Sequence, residues 1–336
     1  MKISVICPVY DTPEEILQQA VKSVFEQDIH QKCEVILVDD ASNNPGTIAC
    51  LQRLKAAYDR IKLIRLPANK GPSSARAAGI RVASGKWIGF LDSDDSWLSG
   101  ALQHFRNTMA AAPQARWIVG HYQTLHAGGV VKMNPRISDE VPGKAVARGV
   151  IRITGPALTK HLIGSSRFHI GATLIDRSLL GQATDFGFTE GLLYNEDWLL
   201  WVRLSVICDL YFINAETYQL RRDRRSVVMG SSRRLTHRLL SALSIAKRDP
   251  SLRPFRREIR WATYGTAKGL ALNNMLSGRP VRAVWFAAKA YMIDPREIGD
   301  LVRFIRLTRM PQAERLITGS AYSRLEQFIA PSQTFE

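Results

Sequence analysis

Two aspartates, Asp92 and Asp94, are separated by one serine directly after the apolar run Trp87–Leu91. In an extended segment, residues i and i+2 point to the same side, so the two carboxylates can converge. Two carboxylates on one side repel each other unless a cation lies between them, and oxygen ligands suit Mg²⁺ or Mn²⁺. The spacing therefore predicts a metal site with positions left open for substrate phosphate oxygens. The alternative is a surface turn in which Asp95-Ser96 caps the next helix.

A second acidic pair, Glu196-Asp197, follows Asn195. If Asn195 caps a helix over Asn195–Val206, both acids lie in its first turn, where the helix dipole favours an ionised carboxylate. Such a carboxylate, when partly buried, is what a general base needs to take a proton from an acceptor hydroxyl. The alternative is ordinary acidic decoration of a first turn.

Three aromatic side chains are candidates for contact with an acceptor. Trp198 and Trp201 lie three residues apart, so they can flank a sugar or simply pack in the core. We add His169 to this set of candidate acceptor contacts.

Polar residues also follow the first two predicted strands. After the second strand, the carboxylate of Asp40 can accept the imide N–H of uracil or the hydroxyls of a ribose, or it can form an Asx-turn or helix cap. After the first strand, in Pro8-Val9-Tyr10-Asp11, Tyr10 can stack on a base or pack in the core.

The loop Asn69–Ser74 leads into a helix that carries Arg76. A helix N-terminus together with Lys70 and Arg76 suits a diphosphate. The loop is neither a Walker loop nor a dinucleotide fingerprint, because both glycine patterns are missing.

Short apolar runs alternate with helical patterns in the amino-terminal part, which predicts an α/β fold with a doubly wound sheet. The predicted strands are Ile3–Val9, Glu34–Val38, Ile61–Leu66 and Trp87–Leu91. In open sheets of this kind, ligands bind beyond the carboxyl ends of the strands, where the acidic residues fall.

The rest of the chain is predicted to contain strands and then helices only. A hairpin over Ala115–Met133 bends at Gly128-Gly129, Asn134–Arg167 is irregular, and Ala172–Ile175 and Leu210–Leu220 are strands. The predicted carboxy-terminal helices are Ser232–Ala246, Phe255–Leu276, Val281–Met292 and Ile298–Arg309. We predict a catalytic domain over 1–225 and a helical region over 226–336.

The charge of the chain is concentrated at one end. The 336 residues carry a net charge of +16, and residues 221–336 hold 23 basic against 9 acidic residues. This asymmetry indicates a polyanionic partner, namely nucleic acid, an anionic membrane surface or a phosphorylated lipid. The alternative is a solvated helix face.

No apolar run is long enough to span a bilayer, and the amino-terminal run is too short for a signal peptide. The four cysteines fit neither a disulfide framework nor a zinc cluster. We therefore expect the chain to remain in a reducing cytoplasm.

Taken in order, five segments resemble the inverting family 2 glycosyltransferases of the GT-A fold, over about residues 1–225. The segments are Ser4–Asp11, Glu34–Ser42, Asn69–Gly79, Gly85–Asp95 and Gly187–Arg203. The resemblance implies a Rossmann-like mixed sheet and transfer of a sugar from a nucleotide donor, expected to be UDP, to a hydroxyl with inversion of the anomeric centre. The expected setting is polysaccharide or cell-envelope glycan synthesis, with a saccharide acceptor that can be polyprenyl-diphosphate-linked.

The resemblance also implies roles for particular residues. Asp197 is the catalytic base, paired with Glu196, and Asp92 and Asp94 hold Mn²⁺ or Mg²⁺. The residues expected to bind the nucleotide-sugar are Pro8, Tyr10, Asp11, Asp40, Lys70, Arg76, Asp92 and Ser93. Many members carry a histidine after the last strand that can reach the metal, and this chain has Asp223 at that place. Either Asp223 is a third candidate metal ligand, or the arginines beside it hold the leaving diphosphate.

The helices Val281–Met292 and Ile298–Arg309 combine apolar stripes with arginines and aromatics, which suits a helix lying in an anionic interface. The alternative is that these helices pack as a small bundle on the catalytic domain. We therefore expect peripheral attachment at the inner face of the plasma membrane, and no nucleic acid partner.

Three other functions compete with this one. A nucleotidyltransferase also uses paired aspartates, but it would carry a glycine-rich loop after the first strand. A nucleic-acid-binding protein would leave the acidic clusters unexplained, because they repel phosphate. A catalytically dead glycan-binding homologue would not need the intact acidic set.

Overall fold

The computed structural model describes residues 2–28, 33–133, 137, 141–164, 168–182, 188–189, 192, 195–222, 232–276 and 279–293. The chain forms two compact units, Met1–Met229 and Gly230–Glu336. The division predicted after residue 225 lies close to this boundary.

The described part of the first unit contains one mixed sheet. Its strands are β1 (Ile3–Val9), β2 (Cys33–Asp39), β3 (Ile61–Arg65), β4 (Trp87–Phe90), β5 (Ser96–Trp97), β6 (Trp117–His126), β7 (Gly129–Met133), β8 (Gly143–Ala147), β9 (Val150–Ile153), β10 (Thr173–Asp176) and β11 (Leu210–Arg221). The strand order is β3-β2-β1-β4-β10-β6-β11-β9-β8, with β5 paired to β11 and β7 paired to β6. This architecture confirms the predicted α/β class.

Helices connect and cover these strands. In the first unit they are α1 (Glu14–Phe25), α2 (Pro45–Ala57), α3 (Gly71–Val82), α4 (Ala101–Ala111), α5 (Pro156–Gly164), α6 (Arg177–Gln182) and α7 (Glu196–Ile207). In the second unit they are α8 (Ser232–Arg248), α9 (Arg256–Leu276) and α10 (Pro280–Ile293).

The parallel half of the sheet aligns the ends of its strands. β1 pairs in parallel with both β2 and β4, and β2 pairs in parallel with β3. The register sets Val9 opposite Asp39 and Ile6 opposite Phe90, and β1 and β2 are buried almost throughout. The residues that follow these strands therefore emerge at one edge of the sheet.

The sheet becomes mixed at β10, which is antiparallel to both β4 and β6. β11 then runs parallel to β6 and also pairs with β5, which places Tyr218 opposite Trp97. Because β5 lies just after the acidic loop Asp92–Asp95, this pairing brings the end of β11 to that loop.

One sequence prediction is corrected here. The stretch Asn134–Arg167, predicted to be irregular, contains β8, β9 and α5, because β9 finds its partner in the distant β11.

The predicted hairpin and three of the predicted carboxy-terminal helices are confirmed. β6 and β7 pair antiparallel around Gly128, and α8, α9 and α10 match the predicted helices within two residues at each end. Ile298–Arg309 lies outside the described residues. No helix in the described ranges is long and apolar enough to cross a membrane.

Candidate active site

The two acidic motifs of the sequence meet at one buried arginine. Arg76, on α3, donates from Nη1 to Glu196 Oε1 at 2.5 Å and from Nη2 to Asp92 Oδ1 at 2.7 Å. Glu196 lies 120 residues further along the chain, at the start of α7, so this guanidinium joins the end of β4 to the start of α7. The arginine predicted to face a diphosphate is therefore also the link between the two acidic pairs.

The surroundings of Arg76 restrict its position. Its guanidinium lies 5.8 Å from the ring centre of Phe188, and Phe188 packs edge-on against Phe90 of β4. Its Nε is buried and has no hydrogen-bond partner in the part of the chain that the structure describes. The unpartnered N–H is a donor available to an anionic ligand.

The two carboxylates that Arg76 contacts differ in their protonation. Burial opposes ionisation of Asp92, but the Arg76 charge outweighs it and lowers the pKa of Asp92. At Glu196, burial dominates over the same guanidinium and raises the pKa to about 7. The pair can therefore hold or release a proton near neutral pH at Glu196 while Asp92 stays ionised.

Asp197 is the more accessible acid of its pair. It is half-buried, its Oδ1 accepts the backbone N–H of Trp198 at 2.7 Å, and burial raises its pKa. Asn195 occupies the cap position as predicted, but at φ 59° its side chain makes no capping bond. A side chain caps a helix when the backbone of the cap residue is extended, whereas the backbone of Asn195 is left-handed.

The acidic loop is held by the end of β11. The hydroxyl of Tyr218 donates to Asp95 Oδ2 at 2.9 Å and accepts the backbone N–H of Asp92 at 3.1 Å. Arg221 donates its backbone N–H to Asp95 Oδ1 at 2.7 Å and its Nε to the carbonyl of Asp94 at 3.2 Å. Asp95 is therefore buried and does not cap a helix, and α4 starts only at Ala101.

Tyr218 is a residue that the sequence analysis missed. It lies in the strand Leu210–Arg221, where a tyrosine is an ordinary core residue, and only the pairing of β11 with β5 brings its hydroxyl to the acidic loop. Gly171 packs against the Tyr218 ring so closely that any Cβ would collide with it. The small residue there makes room for the tyrosine.

The donor set of the loop fits a hard divalent cation. Asp94 is half-buried, and its carboxylate makes no hydrogen bond to another side chain among the described residues. Burial, followed by the charge of Asp92, raises the pKa of Asp94 to about 6. Burial and the neighbouring charges of Asp92 and Asp94 also raise the pKa of Asp95. Crowded, partly buried carboxylates with free oxygen lone pairs are what Mg²⁺ or Mn²⁺ prefers.

His169 also lies at this loop. One ligand atom each from Asp92, Asp95 and His169 lies within 4.8 Å of the others. The Nδ1 of His169 accepts the backbone N–H of Gly171 at 3.2 Å, and its Nε2 lies 4.0 Å from Asp92 Oδ2. Burial lowers the pKa of His169 to about 4, so the ring is neutral at pH 7. Because Nδ1 accepts a hydrogen bond, Nε2 carries the proton and faces Asp92 as a donor. The aspartates are therefore the better cation ligands.

The carboxylate of Asp40 anchors the loop before α3. It is buried, and its two oxygens accept the backbone N–H groups of Lys70 at 2.9 Å and Gly71 at 2.8 Å. Gly71 has φ 82°, a conformation that favours glycine. The carboxylate of Asp39 accepts hydrogen bonds from the backbone N–H of Ser42 and from the side chain of Arg65. Asp39 and Asp40 therefore both have structural partners. Each Asp40 oxygen still has a second lone pair for a ligand.

The end of β1 forms the remaining wall. Tyr10 is 40% exposed, so it does not pack in the core, while Pro8 is half-buried within β1. Asp11 Oδ1 accepts the backbone N–H groups of Asn43 and Asn44, at 2.7 and 2.8 Å. Ser93 lies 2.6 Å from the Thr12 hydroxyl, which ties this wall to the acidic loop.

Backbone strain is concentrated at the same place. In the described ranges, the non-glycine residues with positive φ are Asp11, Ala41 and Asn195, at 48°, 61° and 59°. They follow β1, follow β2 and precede α7. Such conformations cost free energy and persist only where the surrounding bonds hold them.

Two predicted acceptor contacts are corrected by the packing. The Nε1 of Trp198 donates to the carbonyl of Leu162 at 2.8 Å, and Trp201 stacks on Trp117 with ring centres 5.7 Å apart. Both side chains are buried, so the packing alternative holds for them. His169 stacks on Tyr218 beside Asp92, and its role toward an acceptor stays a prediction. Asp223 lies outside the described residues.

Comparisons with known proteins bear on this geometry. Residues 4–137 match the model of glycosyl transferase family 2. TuaG of Bacillus subtilis, a putative teichuronic acid biosynthesis glycosyltransferase, is 37% identical over 101 residues, which are 30% of this chain and 39% of TuaG. WfgD of Escherichia coli is 28% identical over 208 residues, 62% of this chain and 70% of WfgD.

The crystal structure of S. aureus TarS 1-349 in complex with UDP-GlcNAc is similar to this chain in fold, with a TM-score of 0.62 at 18% identity. The similarity covers 90% of this chain and 84% of the TarS fragment. This chain therefore contains a glycosyl transferase family 2 domain over residues 4–137. The fold is the GT-A fold, and the nucleotidyltransferase alternative is set aside.

Replacing Arg76 with methionine would leave Asp92 and Glu196 buried without their counter-charge. We expect a loss of about 3–5 kcal/mol in the free energy of unfolding. A carboxyl group whose pKa is higher in the folded than in the unfolded state destabilises the fold increasingly as the pH rises from the unfolded-state pKa to the folded-state pKa. Without Arg76 the pKa of Glu196 rises further, so the deficit should grow between pH 6 and pH 8.

Urea unfolding at both pH values measures this difference. Arg106→Met is the matched control, because Arg106 is an exposed arginine on α4 and its loss should cost less than about 0.5 kcal/mol. An Arg76→Met protein as stable as the control at pH 8 would contradict the bridging role.

Tyr218→Phe should loosen the acidic loop while keeping the ring in place. It leaves the Asp92 N–H and the Oδ2 of Asp95 without their tyrosine partner, while Asp95 Oδ1 keeps the Arg221 N–H, so we expect a loss of about 1–3 kcal/mol in stability and weaker Mn²⁺ binding. Tyr211→Phe on the same strand is the control, because the buried Tyr211 hydroxyl has no partner in the described residues. Equal Mn²⁺ titrations for the two variants would count against the loop-holding role of Tyr218.

Proposed function

We propose that this glycosyltransferase moves a sugar from a UDP-sugar to a hydroxyl of a lipid-linked saccharide, with inversion, in the synthesis of a cell-envelope polysaccharide. The observation that carries the proposal is the bridge from Asp92 through Arg76 to Glu196. It sets the acidic loop, which fits a cation and a diphosphate, beside the helix start that carries Asp197. These contacts support our assignment of the cation site and the base to one reaction centre.

The donor side is formed by the ends of β1, β2 and β4. The exposed ring of Tyr10 is available to stack on the base, and Asp40 keeps lone pairs for the uracil imide or the ribose. Lys70 stands at the start of α3, where its positive side chain suits a diphosphate while its backbone N–H and that of Gly71 are donated to Asp40. We assign Pro8, Asp11 and Ser93 to the same donor side.

Asp92 and Asp94 would hold Mn²⁺ or Mg²⁺, which when bound neutralises charge on the departing diphosphate. Asp223 remains a candidate third ligand. Arg76 holds Asp92 in position through its Nη2, and its Nε is a hydrogen-bond donor with no partner among the described residues. The protein therefore concentrates positive charge where negative charge develops, which is a major source of catalytic rate.

The acceptor side is assigned to Asp197. Its half-buried carboxylate takes the proton of the acceptor hydroxyl as that oxygen bonds to the anomeric carbon and the bond from that carbon to the diphosphate breaks. Glu196 is less suited to this role because Arg76 already occupies its carboxylate. Its contribution is to hold the start of α7 against α3.

The lipid-linked acceptor is supported by the relatives. WfgD is named a UDP-Glc:alpha-D-GlcNAc-diphosphoundecaprenol beta-1,3-glucosyltransferase, and TuaG is named for teichuronic acid biosynthesis. An acceptor of this kind is anchored in a bilayer, so we propose that the enzyme works at the inner face of the plasma membrane.

UDP together with Mn²⁺ should raise the melting temperature of the chain more than UDP with EDTA. Asp94→Ala should remove most of the metal-dependent part of this shift, because it deletes a proposed metal ligand whose carboxylate makes no hydrogen bond to another side chain among the described residues. Asp59→Ala, on a largely exposed acid, is the control and should keep the full shift. A metal-independent shift in the unaltered chain would contradict the proposed cation site.

Asp197→Asn should bind the donor as the unaltered chain does and lose transfer by roughly a hundred- to ten-thousandfold, because the amide cannot accept the proton. Donor binding is followed by thermal shift, and transfer by chromatography of a UDP-sugar incubated with lipid-linked saccharides. Asp59→Asn controls for the loss of one acidic charge. Transfer by Asp197→Asn at the unaltered rate would exclude Asp197 as the base.

A further inference from the structure

Helix α10 carries two apolar stripes, and only one of them is packed. The packed stripe consists of Ala283, Phe286, Ala287 and Ala290, which are buried. Its members cluster with Leu270 and Ala271 and with Tyr264 and Ala267 of α9. The core of the second unit thus uses one face of α10 and leaves the opposite face available.

The second stripe, here called the outer stripe, is exposed. Val281 is 84% exposed, Met292 70%, Trp285 52% and Val284 37%. At 3.6 residues per turn these four positions fall within an arc of about 100° on the side of α10 opposite Phe286 and Ala290. Four large apolar side chains on one short helix form a continuous patch, unlike isolated exposed hydrophobic residues elsewhere.

Positive charge borders the outer stripe. Arg282 and Lys289 lie at one edge of the stripe, and Arg279 precedes the helix. Residues 280–293 contain no acidic residue, and the whole segment 221–336 is basic, with 23 basic against 9 acidic residues. The Lys289 ammonium lies 3.8 Å from the ring centre of Trp285, which is a cation–π contact at the border of the stripe.

We infer that the outer stripe of α10 docks on an anionic lipid bilayer. An interfacial helix combines an apolar face with basic residues beside it and an aromatic ring at headgroup depth, and the outer stripe has all three. At 14 residues α10 is about 21 Å long, shorter than the hydrocarbon core of about 30 Å, so it lies along the surface.

Two other occupants fit the chemistry less well. Two copies of the stripe facing each other would bring Arg282 and Lys289 of both copies together, and these like charges repel. A nucleic acid would satisfy the basic residues but not Val281 and Met292, because its phosphate backbone offers no apolar surface. An anionic bilayer matches both the charge and the apolar side chains.

The inference deepens the proposed function and rests on its membrane setting, and its test uses vesicles that contain no saccharide acceptor. The full chain is sedimented with vesicles of phosphatidylcholine alone or mixed with phosphatidylglycerol. We expect binding to the anionic vesicles that falls with salt. The triple variant Val281→Ser, Trp285→Gln, Met292→Gln should bind at least about tenfold more weakly. Each apolar side chain that enters the bilayer contributes to the free energy of partition.

Matched controls separate the stripe from general surface effects. Val130→Ser with Val131→Ser removes exposed apolar residues of the first unit and should leave binding unchanged. Arg282→Gln with Lys289→Gln should weaken binding to anionic vesicles about tenfold, while Lys55→Gln with Arg106→Gln, on exposed positions of α2 and α4, should not. The UDP–Mn²⁺ thermal shift should be the same in all variants, so a failure here is distinguishable from a failure of the proposed function.

A second readout keeps the test independent of folding changes. Vesicles with brominated acyl chains should quench part of the tryptophan fluorescence of the full chain, and Trp285→Phe should bind equally but lose that quenched part. Absent vesicle binding, unchanged binding of the triple variant, or undiminished quenching in Trp285→Phe would each overturn the inference. A concentration-dependent dimer that the triple variant abolishes, without vesicle binding, would assign the stripe to a second copy instead.

Discussion

The buried guanidinium of Arg76 is the interaction on which the candidate active site depends. A charge of this kind is costly to remove from water unless it is paired, and here two carboxylates from distant motifs share it. Its planar fork suits two oxygen partners at once, which a lysine cannot match. Because α3, the loop after β4 and α7 each supply one member, the ionic contact also sets where these three segments meet.

The same centre explains the uneven protonation of the acids around it. Asp92 has a lowered pKa because Arg76 outweighs its burial, whereas burial raises the pKa of Asp94, Asp95, Glu196 and Asp197. Perturbed carboxyls gathered at the carboxyl edge of a sheet are typical of functional sites. The end of β11 then holds the acidic loop by direct hydrogen bonds, so the crowded acids cannot move apart.

Much of the first unit could be predicted because its patterns are local. The buried parallel strands are continuous apolar runs, and α1 repeats apolar residues at helical spacing, so both were identifiable without tertiary information. β8 and β9 could not, because they are short, partly exposed and stabilised by the distant β11. The tryptophans of α7 were ambiguous for a related reason, since a pair of tryptophans on a helix fits a sugar platform or a core equally well.

The sequence by itself determined the order of the elements, the acidic and basic residue types, and the concentration of positive charge in the carboxy-terminal third, because these follow from local patterns and composition. Only the tertiary structure decided that Arg76 joins Asp92 to Glu196, that Tyr218 holds the acidic loop, and which stripe of α10 is packed. These are contacts between residues far apart in the chain, and their energies depend on burial and register rather than on residue type alone.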